Sequence, residues 1–406
     1  MHATALLAFL LLVAAFNLWV DPYRIWRISG GYSQMHPRPR TSQQLPLFKE
    51  RALDWRQPVT LILGNSRAEI GFNTSSPAWP ENTRPVFNAA IPGSGIGRSV
   101  ETLSRSSEHG RLRNAVIGLE FLDFIVDRST TSPPQASPED QTASVTRAGQ
   151  SASSNAIVDA RLLLSLDTLF DSIITLYKRN DQHSPDITLD GFNPLREYEL
   201  SAAQEGYGTL FLQRDTENAR MYARLPRQIF VGISKSSDSW RALDRLIALA
   251  RTKHLNVKFV IYPYHVHILE MFREAGLMPA FEQWKRHLVE VISHAERFDA
   301  TPCRLWDFSG YHDFAKERVP AVGDRTATMQ WYWESGHFKR QLGDLMLARM
   351  FGNADNSFGA CLTPENIEER IAALRRDQDR YAAENPRELD AVSKLVRDRM
   401  RVDPKP

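Results

Sequence analysis

The chain opens on an almost unbroken apolar stretch, ATALLAFLLLVAAFNLWV over residues 3–20, in which only Thr4 and Asn17 are polar. Eighteen helical residues measure about 27 Å, close to the hydrocarbon thickness of a bilayer. The pattern therefore predicts a transmembrane anchor over 1–20, with Trp19 and Tyr23 at the interface. A cleaved signal peptide would have a shorter apolar core ending on small residues. Phe16, Leu18, Trp19 and Val20 end this one, which favours a retained anchor.

Residues 21–58 turn mixed polar, with Gly30, Gly31, Pro37, Pro39 and Pro46, and read as a linker with short helical pieces. Beyond them, short apolar runs rich in β-branched residues recur at 59–63 (VTLIL), 86–87, 115–119 (AVIGL), 257–262 (VKFVIY) and 304–308 (RLWDF). Such runs mark strands buried on both faces. Helical periodicity lies between them, in Trp240, Leu243, Leu246, Ile247 and Ala250 and again in Phe281, Trp284, Leu288, Val291, Ile292, Ala295 and Phe298. The alternation predicts an α/β fold with a parallel sheet between two helical layers.

One insertion, 129–235, interrupts this α/β domain of 59–352. Its first part, 129–156, is Ser, Thr, Pro, Gln and Ala with almost no large apolar residue, so burial cannot offset its ordering entropy and disorder is expected. Helical periodicity returns over 157–177 (Leu162, Leu163, Leu166, Leu169, Phe170, Ile173), and 181–235 reads as irregular. The end, 353–406, reads as a charged tail: a short loop with Cys361, then two exposed helices broken at Pro386.

Composition narrows the function. Among 406 residues, 50 Lys and Arg face 48 Asp and Glu, a net charge of +2 that gives no footprint for a nucleic-acid binder. A mean hydropathy of −0.37 excludes a polytopic membrane protein. Two cysteines, Cys303 and Cys361, exclude a cysteine-rich zinc module and leave room for one bridge.

Three stretches carry chemistry. Gly64-Asn65-Ser66-Arg67 places a serine directly after the first strand, where open α/β sheets bind ligands; the alternative is an ordinary helix cap. Asn88-Ala89-Ala90-Ile91-Pro92-Gly93 follows the second strand, with glycine backbone suited to an oxyanion hole or merely to a turn. In Glu334-Ser335-Gly336-His337 a carboxylate three residues before a histidine can orient the ring for general-base work, or be an unremarkable acidic neighbour. His265 and His267 follow the fourth strand, whose end makes His265 a candidate substrate-binding residue, while two helix-start histidines are the plainer reading. They lie two apart rather than at the four-residue spacing of a helical zinc pair, and no metal or cofactor motif exists. The loop Tyr311-His312-Asp313 reads as surface.

In their order, these blocks resemble the SGNH, or GDSL-type, hydrolase superfamily over about 59–126 and 240–352. The resemblance implies a three-layer α/β/α fold with a five-stranded, flavodoxin-like parallel sheet. It implies Ser66 as nucleophile, His337 as base and Glu334 as its orienting acid. The backbone N–H groups of Ser66 and Gly93 would form the oxyanion hole, with Asn65, Arg67, Asn88, Asp123 and His265 as candidate substrate-binding residues. Two matches are altered, Asn65 and Glu334 each standing where the family has Asp. The third block departs entirely: Glu120-Phe121-Leu122-Asp123 occupies the place of Gly-x-Asn-Asp and lacks the Asn that completes the oxyanion hole. Arg67 is one candidate replacement, and a surface arginine is its plainer reading.

The anchor, Asp21-Pro22-Tyr23 and the Gly-Asn-Ser-Arg turn are similar to the membrane-anchored bacterial branch that moves or removes acyl groups on exported polysaccharides. That similarity implies a single-pass inner-membrane protein with a periplasmic body, acting on an acyl-ester or carbohydrate substrate among membrane-assembly partners. Cys303 and Cys361 could pair in that compartment. Arg24, Arg27, Arg38 and Arg40 follow the anchor and oppose this orientation by the positive-inside rule. Phe192, Tyr198 and Tyr207 of the insertion would stack on sugar rings or form its core. The competing expectation is a catalytically inactive SGNH-like scaffold.

Overall fold

A computed structural model describes residues 2–26, 37–108, 110–126, 152–230, 237–296, 304–352 and 358–402. They fall into two compact units, one drawn from 1–51 and 128–187, the other from 52–127 and 188–406. The stretch 129–235 is thus divided between the two. Of the segment expected to be disordered, 129–151 lies outside the described residues and 152–156 is helical.

The larger unit is α/β with a mixed central sheet of six strands. In chain order these are β1 (Thr60–Leu63), β2 (Val86–Asn88), β3 (Asn114–Leu119), β4 (Asn256–Ile261) and β5 (Leu305–Asp307). A small hairpin of β6 (Tyr332–Glu334) and β7 (His337–Phe338) stands outside the sheet, and β8 (Ala360–Cys361) is its sixth strand. The order is β2-β1-β3-β4-β5-β8. Each neighbouring pair from β2 to β5 is parallel, with Thr60 opposite both Val86 and Asn114, and β8 joins β5 antiparallel. The sixth strand corrects the expected five: the loop read around Cys361 carries it, a two-residue strand too short for a periodic signal. Cys361 is half of a disulfide, and Cys303 lies outside the described residues.

Both faces of the sheet are covered. Ile62, Val116 and Val260 share one apolar cluster with Leu342, Met346 and Leu347 of the helix Arg340–Met350. Leu61, Leu63, Ile117, Phe259 and Ile261 point the opposite way and are equally buried. The expected helical faces are buried too, in Asp238–Thr252 through Trp240, Leu243 and Leu246, and in Met278–Glu296 through Phe281, Trp284 and Leu288.

Two further expectations fail. The region read as irregular contains the helices Arg196–Glu205 and Tyr207–Tyr222. In the second, Leu210, Phe211, Asp215, Asn218, Ala219 and Tyr222 form a buried stripe at three- and four-residue spacing, disguised by its polar members. The charged tail is not a pair of exposed helices. Ile367–Glu384 buries Ile371, Leu374 and Tyr381, and Pro386–Val402 buries Val392 and Val396 against the helices Tyr207–Tyr222 and Val266–Glu274.

The smaller unit contains the helix His2–Val20, long and apolar enough to cross a membrane. Against it lie Ala152–Leu163 and Leu166–Tyr177. Described parts of the expected linker are folded in, since Tyr23, Ile25, Arg38 and Phe48 are buried. Arg24 pairs with Asp186 at 3.1 Å, Arg40 with Asp171 at 3.1 Å and Arg51 with Asp159 at 2.7 Å.

If the carboxyl-terminal helix is core rather than tail, Val396→Ala will lower unfolding free energy by about 1–3 kcal/mol, whereas exposed Arg399→Ala will stay within about 0.5 kcal/mol of wild type. Urea denaturation measures both.

Candidate active site

Ser66 begins the short helix Ser66–Gly71 immediately past β1. Gly64, two residues before it, has φ +138°, and a Cβ there would meet the buried Tyr262 hydroxyl at 2.5 Å, so the tight exit from β1 requires glycine. Asn65 caps the helix, its side chain accepting from the Arg67 N–H at 3.1 Å. This engagement makes Asn65 chiefly a capping residue rather than a substrate ligand.

His337 opens β7, across a two-residue turn from Glu334. Its Nε2 lies 2.8 Å from Ser66 Oγ, and its Nδ1 bonds Glu334 Oε1. Glu334 is almost fully buried and also accepts from the Gly336 N–H at 2.5 Å. Burial alone would raise the Glu334 carboxyl; the facing imidazole of His337, with Arg214 and the Gly336 N–H, overrides it and holds the group down at about 2. Serine, imidazole and carboxylate thus form one hydrogen-bonded chain, assembled from residues 271 positions apart, an arrangement able to serve nucleophilic catalysis.

Two close backbone contacts set that geometry. A Cβ on Gly71 would lie 2.0 Å from the Phe338 ring, and one on Gly343 would lie 1.9 Å from the Gly71 carbonyl oxygen. The helix bearing Ser66 therefore rests directly on the segment that bears His337. Asn88 secures the helix from below: its Nδ2 donates to the carbonyls of Ala68 at 2.9 Å and Phe72 at 3.0 Å, and its Oδ1 accepts from the Ala90 N–H at 3.1 Å. Fully buried and fully engaged, Asn88 is a structural strut and not a substrate-binding residue.

Gly93 sits at φ +70° on the exposed turn after β2, and neither its N–H nor that of Ser66 has a hydrogen-bond partner among the described residues. Free donors at these two positions suit an oxyanion hole. Where the expected Asn is missing, Glu120 is buried at the end of β3 and accepts from Arg67, from Tyr264 Oη at 3.0 Å and from Asn65 Nδ2 at 3.4 Å. Arg67 is consequently no surface residue. Burial works against its charge, but Glu120 together with the hydroxyls of Tyr264, Tyr222 and Tyr262 outweighs it and holds the guanidinium firmly protonated. Its Nη2 lies 3.8 Å from the position a Gly336 Cβ would take, beside the Glu334–His337 turn. Asp123 faces the Gly95 turn, 3.8 Å from that residue's Cβ position. Burial, reinforced by Glu120 and opposed by Arg67, pushes its carboxyl up to about 7, so much of it is uncharged at neutral pH.

The histidine pair is structural. His265 is completely buried, with Nε2 on the Glu317 carbonyl at 2.9 Å and Nδ1 accepting from the His267 N–H at 3.3 Å, so it is not available to bind substrate. Burial and its neighbour His267 hold it neutral. His267 bridges Asp215 at 2.7 Å and Glu388 of the carboxyl-terminal helix at 2.9 Å. Burial would lower its pKa, but the two carboxylates raise it to about 9. Phe192 and Tyr207 are buried core, and Tyr198 packs edge-on against Trp333 with ring centroids 5.8 Å apart. The 311–313 loop is likewise less exposed than expected: Tyr311 is buried on Glu270, and His312 uses both ring nitrogens.

Sequence reading missed three contributors. Arg214 reaches Glu334 at 3.4 Å, Asn218 donates to Ser335 Oγ at 3.4 Å, and Glu120 anchors Arg67. The first two belong to the helix Tyr207–Tyr222, and its buried stripe was the available signal. Compared with family models, curated proteins and solved structures, the chain matches none.

Gly343→Ala should slow fluorophosphonate labelling of Ser66 and lower the unfolding temperature together, by about 1–3 kcal/mol of stability; an unaltered labelling rate would show that the backbone contact does not position the site. His267 gives a separate pH signature. Its folded pKa, about 9, is above the unfolded value near 6.5, so its contribution is full below about pH 6.5 and disappears as pH rises through about 9. Wild type should lose up to about 3 kcal/mol across that window in urea titrations, and His267→Gln should lack this component.

Proposed function

We propose that the chain is a membrane-tethered SGNH-type serine esterase or O-acyltransferase acting on acyl, chiefly acetyl, esters of an exported carbohydrate. The observation that carries this reading is the 2.8 Å contact between His337 Nε2 and Ser66 Oγ with Glu334 bonded behind the ring. The strand order β2-β1-β3-β4-β5, with its parallel pairings, supports the flavodoxin-like arrangement of that superfamily.

In this mechanism Ser66 Oγ attacks the ester carbonyl while His337 takes its proton, and Glu334 stabilises the resulting imidazolium. The tetrahedral oxyanion accepts from the N–H groups of Ser66 and Gly93. Collapse expels the alcohol, which receives the proton from His337, and leaves an acyl-serine. Water or a sugar hydroxyl, deprotonated by His337, then attacks that ester; it releases the acid or forms a new ester, and Ser66 recovers its proton. Arg67 supplies positive potential where the expected Asn is lacking. Glu120, by holding that charge beside the serine, acts as a positioning residue. Asp123 in its acid form does not oppose the oxyanion as a carboxylate would.

The apolar helix His2–Val20 supports tethering to the inner membrane, and we place the body on the periplasmic side. The arginines after the anchor argue for the opposite side, because the rule counts basic residues and not their ion pairs.

A fluorophosphonate probe should label wild type and not Ser66→Ala, with acetyl-ester hydrolysis falling by about 10⁴ or more. Equal labelling of both, or of neither, overturns the assignment and returns the inactive scaffold. The double variant Arg67→Met/Glu120→Gln, which leaves no unpaired buried charge, should keep the label and lose about 10²-fold in kcat.

A further inference from the structure

Within the smaller unit, the helix Leu166–Tyr177 (LDTLFDSIITLY) is inside out. Thr168, Asp171, Ser172 and Thr175 are its buried residues, while Leu166, Phe170, Ile173 and Tyr177 are 67, 61, 53 and 87% exposed. Helical spacing puts the exposed four on one face and the buried four on the opposite one. A helix in water turns its apolar face inward, because every large apolar side chain left in water forgoes the free energy of burial.

Ser172 and Asp171 of the polar face are bonded to the apolar helix His2–Val20 and the residues just after it. Ser172 Oγ donates to Asn17 Oδ1 at 3.0 Å, and Asn17 Nδ2 donates to the Leu163 carbonyl at 2.9 Å. Asp171 accepts from Tyr23 Oη at 2.7 Å and pairs with Arg40. On the His2–Val20 helix the covered positions are Val13, Asn17 and Val20. The contact therefore spans the eight residues from Val13 to Val20, about 10 Å of axis, comparable to the roughly 5–10 Å to which interfacial amphipathic helices sink. Toward the other end Leu6, Leu7, Phe9, Leu11 and Leu12 are more than half exposed, so one apolar surface continues from that helix onto its neighbour. The neighbour ends in Tyr177, followed by Lys178 and exposed Arg179, an aromatic-basic edge suited to lipid headgroups.

We propose that Leu166–Tyr177 is a second membrane-contacting element, lying at the acyl-chain and headgroup boundary with Leu166, Phe170, Ile173 and Tyr177 in lipid. The inference rests on the membrane reading of His2–Val20 and is independent of the chemistry at Ser66.

Nitroxide labels on single cysteines replacing Leu7, Phe170, Ile173 or Arg179 test it in the full chain, reconstituted in phosphatidylcholine vesicles containing phosphatidylglycerol, with the unsubstituted chain as the labelling blank. At positions 170 and 173, collisions with aqueous nickel chelate should be several-fold fewer than at 179, and collisions with membrane-dissolved oxygen several-fold more. Chelate access at 170 and 173 equal to that at 179 overturns the proposal, as does protection from both reagents, which would mean a second copy or another protein covers the face. Water access at position 7 as well would instead overturn the anchor. Phe170→Trp gives an independent reading: brominated acyl chains should quench its added emission, and no quenching counts against lipid contact.

Discussion

The candidate site depends on one steric fact, the backbone-to-backbone approach of Gly71 and Gly343 with the Phe338 ring wedged beside them. No side chain fits between the Ser66 helix and the helix Arg340–Met350 that follows His337, so that separation is set by backbone atoms, while the Phe338 ring fills the space toward His337. Asn88 then fastens the same helix by its exposed carbonyls, using every strong hydrogen-bonding group of its amide on backbone. The reactive pair is thus held by packing and buried amide bonds, and the polar side chains around it are free to serve chemistry.

The helix Tyr207–Tyr222 joins two charged systems. On one face Arg214 meets Glu334; next to it Asp215 meets His267, which in turn meets Glu388. The carboxyl-terminal helix is coupled in this way to the acid that orients His337, through two adjacent residues on a single rigid element. Charges that look merely solvating in the sequence are arranged as a relay of ion pairs. A second relay, Arg67 with Glu120 and Tyr264, occupies the end of β3 and stabilises a cation beside the serine.

Much of the scaffold was legible in the chain. Buried strands announce themselves by β-branched runs, and the motifs around Ser66, Glu334 and His337 stood out by their order along the chain; the structure brings these three within hydrogen-bonding reach. What escaped were features without period or with misleading polarity. β8 spans two residues, Tyr207–Tyr222 buries Asp215 and Asn218, and the last two helices hide narrow apolar stripes among many charges. Asn88 looked like a candidate ligand because a polar residue at a strand end reads alike whether it faces solvent or caps backbone, and its satisfied hydrogen bonds distinguish the two; His265 is the helix-start histidine of the plainer reading. Glu120 was invisible as a partner of Arg67, since their pairing spans 53 positions.

Asn17 carries a consequence for the order in which the molecule is made. Its amide is covered by Leu163 and Ser172, which leave the ribosome about 150 residues later, on the order of ten seconds or more at ordinary synthesis rates. Were the first helix inserted as a span, it would over that interval carry in its last turn an amide without these partners, and an amide unpaired away from water costs several kcal/mol. In that reading the nascent chain would be most open to other hydrogen-bonding neighbours before its own later segment arrives, in competition with completion of the smaller unit.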